Sequence, residues 1–470
     1  MSVDPFMPLE AAAAGIRNRD FTSVELTRLA LERIGTHGDS LNCIAGMDPP
    51  AALAAAAEAD AVIDAGRPVG PLHGVPLGHK DMYYRAGRPA GCGARLRDGF
   101  VPGTTATALN RLDAAGALDI VRLNMVEFAL GPSGHNEHTG AVRNPWNTDH
   151  ITGGSSSGSG SAVAAGLVYG ALGSDTGGSI RTPAACCGLV GIKGTYGLVS
   201  RAGAMPLSFS LDHVGPLTRT VRDSALMLQT IAGPDPRDPT SARREVPDYL
   251  ARIEDGIEGL RIAVCEDFFS DGIDPDVAAL NAESIEVLKR LGAEIRSFRY
   301  PDLDKMVALA NIISGSESAA FHAPGLARDW AGYGRQTRSR LVAGLLYPAV
   351  SYQQALKLRA PMLKAFCEAA FSQADILHAP ALGQPVPTIA GTDFGDAPGF
   401  LGAVVHLSRN IRPFNFLGLP AMSVPCGFTP DGLPAAFQLA GRPFDEATLF
   451  RTARAYERET GCTGRHPDLT

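Results

Sequence analysis

Several features are scarce in this 470-residue sequence, and each absence narrows what the chain can do. There is no long basic run, and the 42 lysines and arginines are outnumbered by 49 acidic residues, for a net charge of −7. No nucleic-acid surface is therefore evident. Long hydrophobic runs are missing too. The longest apolar stretch, Ala162 to Leu172, is interrupted by Gly166 and Gly170, well short of the roughly 20 residues that span a bilayer, so no membrane role is expected. The opening MSVDPFMPLEAAAAGIRNRD carries acids early and lacks a basic start followed by an apolar core, so a secretory leader is not expected. The eight cysteines show no paired metal-ligand spacing. Cys186 and Cys187 are adjacent, which suits neither an ordinary disulfide nor a zinc site. Burial as small apolar groups in a reducing cytoplasm is the expectation.

Glycine, by contrast, is abundant: 53 residues, about 11% against a usual 7% or so. Much of the excess sits between Gly153 and Gly197, where the backbone itself must be shaped. With 45% hydrophobic and 19% charged residues the chain can bury a sizeable core. Length alone would suggest about three domains, but the pattern reads as one α/β fold. TSVELTRLALERI opens with a capping box, Thr22 to Glu25, and offers Val24, Leu29, Ala30 and Ile34 as a buried stripe. A second helix follows Asp48 and stops at Gly66. TATALNRLDAAGALDIVRLN reads helix, glycine, strand, and GLRIAVCEDFF and LKRLGAEIRSF bracket a further helix in the same way. This alternation predicts a large sheet covered by helices on both faces. Residues 1–470 are taken as a single domain, with a more variable elaboration at about 233–384.

The block GGSSSGSGSAVAAGLVYGALGSDTGGSIRTPAACCG, Gly153 to Gly188, admits four readings. A flexible linker fails because Gly160 passes straight into an apolar segment that needs burial. A phosphate loop fails because no lysine or arginine lies between Gly153 and Gly178. A nucleophile elbow, GSSSG with Ser156 as nucleophile and His213 and Asp212 as partners, is weak: a proline-containing turn, not a strand, precedes it, and the acid and histidine are adjacent. DTG at Asp175 resembles an aspartic protease motif, yet no second such motif exists to share the proton.

The fourth reading takes the block whole. It resembles the core of the amidase signature family, and LHGVPLGHKDMYYRAG resembles that family's lysine segment. The similarity continues through NMVEFALGPSGHNEHTGAVRNPWN, TYGLVSRAGAMPLSFSLDHVGPLTRTVRD and FNFLGLPAMSVPCGFTPDGLPAAFQLAGRPFDEATLF, thinning only in the variable region. The resemblance implies the mixed α/β fold of that family and amide cleavage by a Ser–cisSer–Lys triad, with Ser179 as nucleophile, Ser155 as the bridging serine after a cis peptide bond, and Lys80 as base. It implies an oxyanion hole from Thr176, Gly177, Gly178 and Ser179, and support from Ser156, Asp175 and Arg181. His79 departs from the family's apolar residue and receives no role.

Physical chemistry explains why such a triad could work. A serine hydroxyl needs a base during attack, and a lysine with its usual pKa near 10.4 is charged and useless as one. Burial that lowers the pKa to about 7–8 supplies a neutral amine. An acyl-enzyme on Ser179, hydrolysed by water, is then expected, with neither metal nor organic cofactor. The substrate expectation is a small aryl or alkyl amide, extending to esters or carbamates. In the segments that line the substrate in such relatives, Met125, Phe128 and Phe416 are candidates either for an apolar substrate wall or for ordinary core, and Arg412 and Arg409 replace more neutral residues of the family and either bind a carboxylate or face solvent. One alternative within the family is the glutaminase component of the tRNA-dependent amidotransferase, its A chain, which releases ammonia from glutamine for a partner. Another, of a different class, is a non-catalytic binding or scaffold protein. A homodimer is common among such relatives.

Overall fold

The computed structural model describes residues 3–265, 267–393 and 405–469. Its local rules begin at the first long helix, Ser23–Leu41, where the Thr22 hydroxyl accepts the Glu25 N–H at 3.0 Å and the Glu25 carboxylate accepts the Thr22 N–H at 2.7 Å. The capping box therefore forms as read. The buried stripe does not keep its expected register: Leu26, Ala30, Ile34 and Leu41 are buried together with Ser23, while Val24 and Leu29 are only half-buried. The cause lies in tertiary contacts. Asp60, on the helix Pro49–Asp64, accepts the N–H groups of Ser23 and Val24, and the Ser23 hydroxyl donates to the Gly74 carbonyl at 2.6 Å, so a satisfied polar residue takes the inward face.

Thirteen strands follow one another among the described residues: β1 (Ile44–Met47), β2 (Pro76–Lys80), β3 (Leu118–Leu123), β4 (Arg143–Asn144), β5 (Asn147–Ile151), β6 (Ala171–Asp175), β7 (Val190–Lys193), β8 (His213–Thr218), β9 (Arg261–Cys265), β10 (Glu294–Phe298), β11 (Ile376–Pro380), β12 (Ala421–Phe428) and β13 (Pro434–Gly441). Eleven form one mixed sheet in the order β1-β3-β2-β6-β8-β7-β12-β13-β11-β9-β10, and β4 and β5 make a separate hairpin. β2 runs parallel to both β3 and β6, and β9 parallel to β10 and β11, while β6–β8, β7–β8, β7–β12 and β12–β13 are antiparallel. The fold is thus the large mixed α/β sheet expected. The region around 233–384 supplies β9, β10 and β11 to this same sheet and adds four helices, Pro275–Arg290, Leu303–Arg328, Arg335–Leu345 and Ala349–Phe371.

Central strands are covered on both faces, and the charges they carry, Lys80, Asp175 and Lys193, sit at their carboxyl ends. β2, β6, β7 and β8 are buried at every position. The glycine-serine block becomes a buried helix, Ser157–Ala164, and a second buried helix, Arg181–Cys187, packs against it. Cys186 and Cys187 are both free and fully buried. Glycine is demanded at Gly158 by close approach: a Cβ there would lie 2.5 Å from the Asn124 carbonyl oxygen and 2.6 Å from that of Cys43. Small residues let this helix sit directly on neighbouring backbone, which is why a stretch with linker-like composition packs as a buried helix.

Gly158→Ala should therefore destabilise the protein by on the order of 1–3 kcal/mol through overpacking, despite alanine's better helix propensity. Equilibrium denaturant unfolding of the two proteins measures this; an alanine variant of equal or higher midpoint would show that the backbone contact is not close.

Candidate active site

The carboxyl ends of parallel strands gather chemistry because loops leave the sheet there side by side. Lys80 ends β2, and Ser174 and Asp175 end the neighbouring β6. Lys80 is 1% exposed. Its Nζ lies 2.6 Å from Ser155 Oγ and 2.8 Å from Ser174 Oγ. Burial brings the amine down to about 7, against the opposing fields of Asp212 and Asp175. His79, one residue earlier, points to the other face of the strand, where its Nδ1 accepts the Leu172 N–H at 3.4 Å. It stands apart from the lysine–serine cluster. Asp81 is bound to Arg122 at 2.7 Å and accepts the Gly91 N–H, a structural arrangement.

Ser155 follows a cis Gly154–Ser155 peptide bond and is fully buried. Gly153, at φ +70°, lies against Thr182 and Pro183, the first turn of the helix after Ser179. The next serine is a pin: Ser156 Oγ accepts the Ser174 N–H at 3.2 Å and donates to the Ser174 carbonyl at 3.3 Å. That removes it from the elbow reading. His213, its supposed partner, faces the carbonyls of Leu211 and Asp175 through Nδ1, and Asp212 accepts from Thr176 Oγ1 at 2.5 Å and from the N–H groups of Leu207 and Ser208.

The loop that carries Ser179 is organised by Asp175. This carboxylate accepts the N–H groups of Gly178, Ile180 and Arg181 and pairs with the Arg181 guanidinium at 3.1 Å, both side chains being fully buried. Burial alone would raise its pKa, but the Arg181 charge and the hydrogen bonds hold the carboxyl well below its usual range. Arg181 in turn donates to the Ile411 carbonyl, to Gln438 and to Asn415, and Asn415 donates back to Asp175 at 2.6 Å. One consequence corrects the expected oxyanion set. The Gly178 N–H points into the Asp175 carboxylate at 2.9 Å and is already engaged. Among the described residues, no hydrogen bond occupies the N–H groups of Gly177 and Ser179.

Ser179 is half-buried and lines a cavity of about 230 Å³ together with Gly131, Pro132, Thr176, Gly177, Asn311 and Arg412. A larger depression of about 1130 Å³, around Arg111 and Arg243, holds none of the lysine and serine candidates. The structure corrects three expected wall residues: Met125, Phe128 and Phe416 do not line the Ser179 cavity but are buried in the core, Phe128 packed on His322 with ring centroids 4.4 Å apart. Arg409 also lies elsewhere, pairing with Asp271 at 3.2 Å over the Phe268 ring. Arg412 alone of the candidate recognition residues reaches the cavity. Sequence reasoning missed Ser174, the second hydroxyl on Lys80, and Arg340 and Asn311, which enter the cavity wall from the variable region. It also missed Lys193, fully buried, whose Nζ is tied to the Leu419 and Gly194 carbonyls.

Comparison with known proteins agrees with this geometry at the level of family. The profile of the family described as Amidase matches residues 25–450. The chain is 40% identical to the A chain of the glutamyl-tRNA(Gln) amidotransferase of Chloroflexus aggregans, covering 99% of this chain and 98% of that one. Its structure superposes on the corresponding A chain of the Thermotoga maritima amidotransferase (TM-score 0.83, 30% identity, all of both chains). It also superposes on a protein from a complex described as revealing the origins of an s-triazine catabolic enzyme (TM-score 0.89, 31% identity, 97% and 99% covered). A bacterial aryl acylamidase matches at TM-score 0.88 and 25% identity, over 98% and 99%. The class these define is that of mixed α/β hydrolases acting on C–N bonds. The chain belongs to the amidase signature family.

Asp175→Asn should cost about 3–5 kcal/mol, because Arg181 would be left buried and unpaired. Thermal and denaturant unfolding checks this; a loss below about 1 kcal/mol would mean that the pair does not organise the loop.

Proposed function

We propose that the protein hydrolyses the C–N bond of a small amide through Ser179, Ser155 and Lys80. The observation that carries this reading is the 2.6 Å contact between Ser155 and a lysine that burial brings to about 7. In the neutral form Lys80 takes the Ser155 proton while Ser155 takes that of Ser179, so the Ser179 oxygen attacks the carbonyl without a free alkoxide. Ser174, also on Lys80, holds the amine in direction as its proton count changes. The negative charge that builds on the carbonyl oxygen meets the N–H groups of Gly177 and Ser179, with each such donor worth about 2.7–4 kcal/mol in the transition state. The relay then runs backwards to protonate the departing amine, and water releases the acyl group.

Two substrate readings share this chemistry. The relatives give more support to the glutamine-using amidotransferase chain than to a hydrolase of aryl or alkyl amides, since A chains of that enzyme match at 40% identity across 99% of the chain. Glutaminase turnover that appears only with a B-type partner would favour the first; turnover of p-nitroanilides by the chain alone would favour the second. A non-catalytic scaffold would neither react with a fluorophosphonate nor turn over any amide.

Ser179→Ala should lower amide turnover by at least about 10³-fold and abolish fluorophosphonate labelling, with the fold unchanged by circular dichroism. Because the base must be uncharged, kcat/KM of the wild type should rise about tenfold per pH unit below neutrality and level off above about 7, where Lys80 loses its proton. Lys80→Ala should remove that limb. A full-rate Ser179→Ala protein would end the assignment.

A further inference from the structure

The helix Leu303–Arg328 meets the site on two sides. Asn311, Ser314 and Ser318 face the Ser179 cavity. Glu317, in the same turn as the two serines and 3% exposed, bonds instead to the loop 207–212. Its Oε2 accepts the Ser208 hydroxyl at 2.5 Å and the Ser210 N–H at 3.0 Å, and its Oε1 accepts the Ser210 hydroxyl at 2.6 Å and the Tyr352 hydroxyl at 2.9 Å. All four donors are neutral. A buried carboxylate that lost them would be left unsatisfied at a large penalty, so these bonds fasten the loop to the helix.

Ser208 is the link from there to the catalytic lysine. Fully buried, it gives its hydroxyl to Glu317 and its N–H to Asp212 Oδ2 at 3.0 Å, while its carbonyl accepts the Asp212 N–H at 2.9 Å. Two carboxylates far apart in the chain are thus joined by one serine. β8 runs beside β6 with His213 opposite Asp175, which places Asp212 at the carboxyl end of β6. Its Oδ1 accepts Thr176 Oγ1 at 2.5 Å, at the start of the loop that presents the Gly177 N–H. Asp212 also shares a cavity of about 220 Å³ with Ser174, the second hydroxyl on Lys80.

Three titratable groups act on Lys80: Asp212, Asp175 and the Cys92 thiol. Asp175 is locked to Arg181 and Asn415, and burial pushes Cys92 up to about 12, so that it is neutral. Asp212 is the adjustable one. Burial pushes its carboxyl up, and the bonds from Thr176, Leu207 and Ser208, with the charge of Arg201, work against that. If the loop loosens, Asp212 either moves away or takes a proton, and in both cases its pull on the ammonium of Lys80 weakens.

We propose that Glu317 is a positioning residue for the base: through Ser208 it holds Asp212 beside Lys80 and Thr176, so that the helix lining the substrate cavity also sets the electrostatic field at the catalytic amine. This goes beyond the amide-hydrolysis reading, on which its kinetic test rests.

Asp212→Asn removes a field that favours the charged amine. The acid limb of kcat/KM, set at about 7 in the wild type, should therefore move down by about 0.5 pH unit or more. Ser208→Ala, which alters neither carboxylate, should move it the same way by less, and so should Glu317→Gln. In the Asp212→Asn background neither change should move the limb further. A merely structural Glu317 would lower the melting temperature and leave the limb in place. That result overturns the proposal, as does an upward shift, which would mean that water has reached the amine, or a shift that persists without Asp212. If Glu317→Gln does not fold, Ser208→Ala decides alone. A second readout needs no turnover: with lysine isotope-labelled at Cε, the resonance lost in Lys80→Ala reports the titration of Lys80 in the Ser179→Ala protein. Its midpoint should fall with Ser208→Ala and Glu317→Gln and fall furthest with Asp212→Asn. If no amide is hydrolysed and the midpoints still shift in this order, the positioning role stands and the hydrolytic reading falls; coincident midpoints remove the positioning role whatever the turnover.

Discussion

A single buried ion pair, Asp175 with Arg181, sets the geometry on which the site depends. The carboxylate lies at the end of β6, and its two oxygens gather three loop N–H groups around it. That forces the chain through Gly178 at φ +123°, a conformation that favours glycine, immediately before Ser179. The guanidinium faces the other way and fastens Ile411, Asn415 and Gln438. The loop that bears the candidate nucleophile and the helix that bears Arg412 are thus held by the same charge pair. Such a pair contributes little net stability relative to a well-packed apolar substitute; what it supplies is a fixed arrangement of the Ser179 loop and the helix Arg412–Leu417.

Lys80 is governed by a competition. Burial disfavours its ammonium, while the carboxylates of Asp212 and Asp175 favour it. Burial wins because neither carboxylate is free to serve it: Asp175 is satisfied by Arg181 and Asn415, and Asp212 by Thr176 and two backbone N–H groups. The contacts left to the amine are hydroxyls, Ser155 and Ser174, which suit a neutral nitrogen as well as a charged one. An unfolded chain would hold that proton up to a pH near 10.5. Folding therefore releases it at neutral pH, and stability rises as pH climbs from about 7 towards that value. Part of the folding free energy is spent to keep the amine uncharged.

Local signals were legible in the sequence where they act locally. The Thr22–Glu25 box is closed by residues three apart, and Asp48 caps its own helix through the Ala51 N–H. Lys80, Ser155 and Ser179 could be named because long motifs carry them. What the sequence did not disclose depends on partners far along the chain. Ser23 replaces Val24 on the buried face only because Asp60 and Gly74 bond to it. The Gly178 N–H cannot be known as engaged until Asp175 is seen to turn back on the loop. Phe128 and Phe416 lie in segments that line the substrate in similar proteins and could serve either wall or core, and their rings complete the core. Arg340 and Asn311 sit where the family motifs are weakest, so nothing flagged them.

That last point bears on how this family varies its chemistry. The catalytic candidates come from β2, β6 and the glycine-rich loops in the middle of the sheet, which closely similar structures share almost end to end. Much of the cavity's far wall comes from the helices Leu303–Arg328 and Arg335–Leu345, inserted between β10 and β11. Changing side chains on those helices alters what charge and volume the pocket offers without disturbing the sheet or the Asp175–Arg181 pair. Whole-chain identity averages over both parts and is dominated by the scaffold, so it ranks relatives by shared fold and shared reaction. The charged side chains of the cavity, Arg340 on an inserted helix and Arg412 on the helix Arg412–Leu417, are a separate variable.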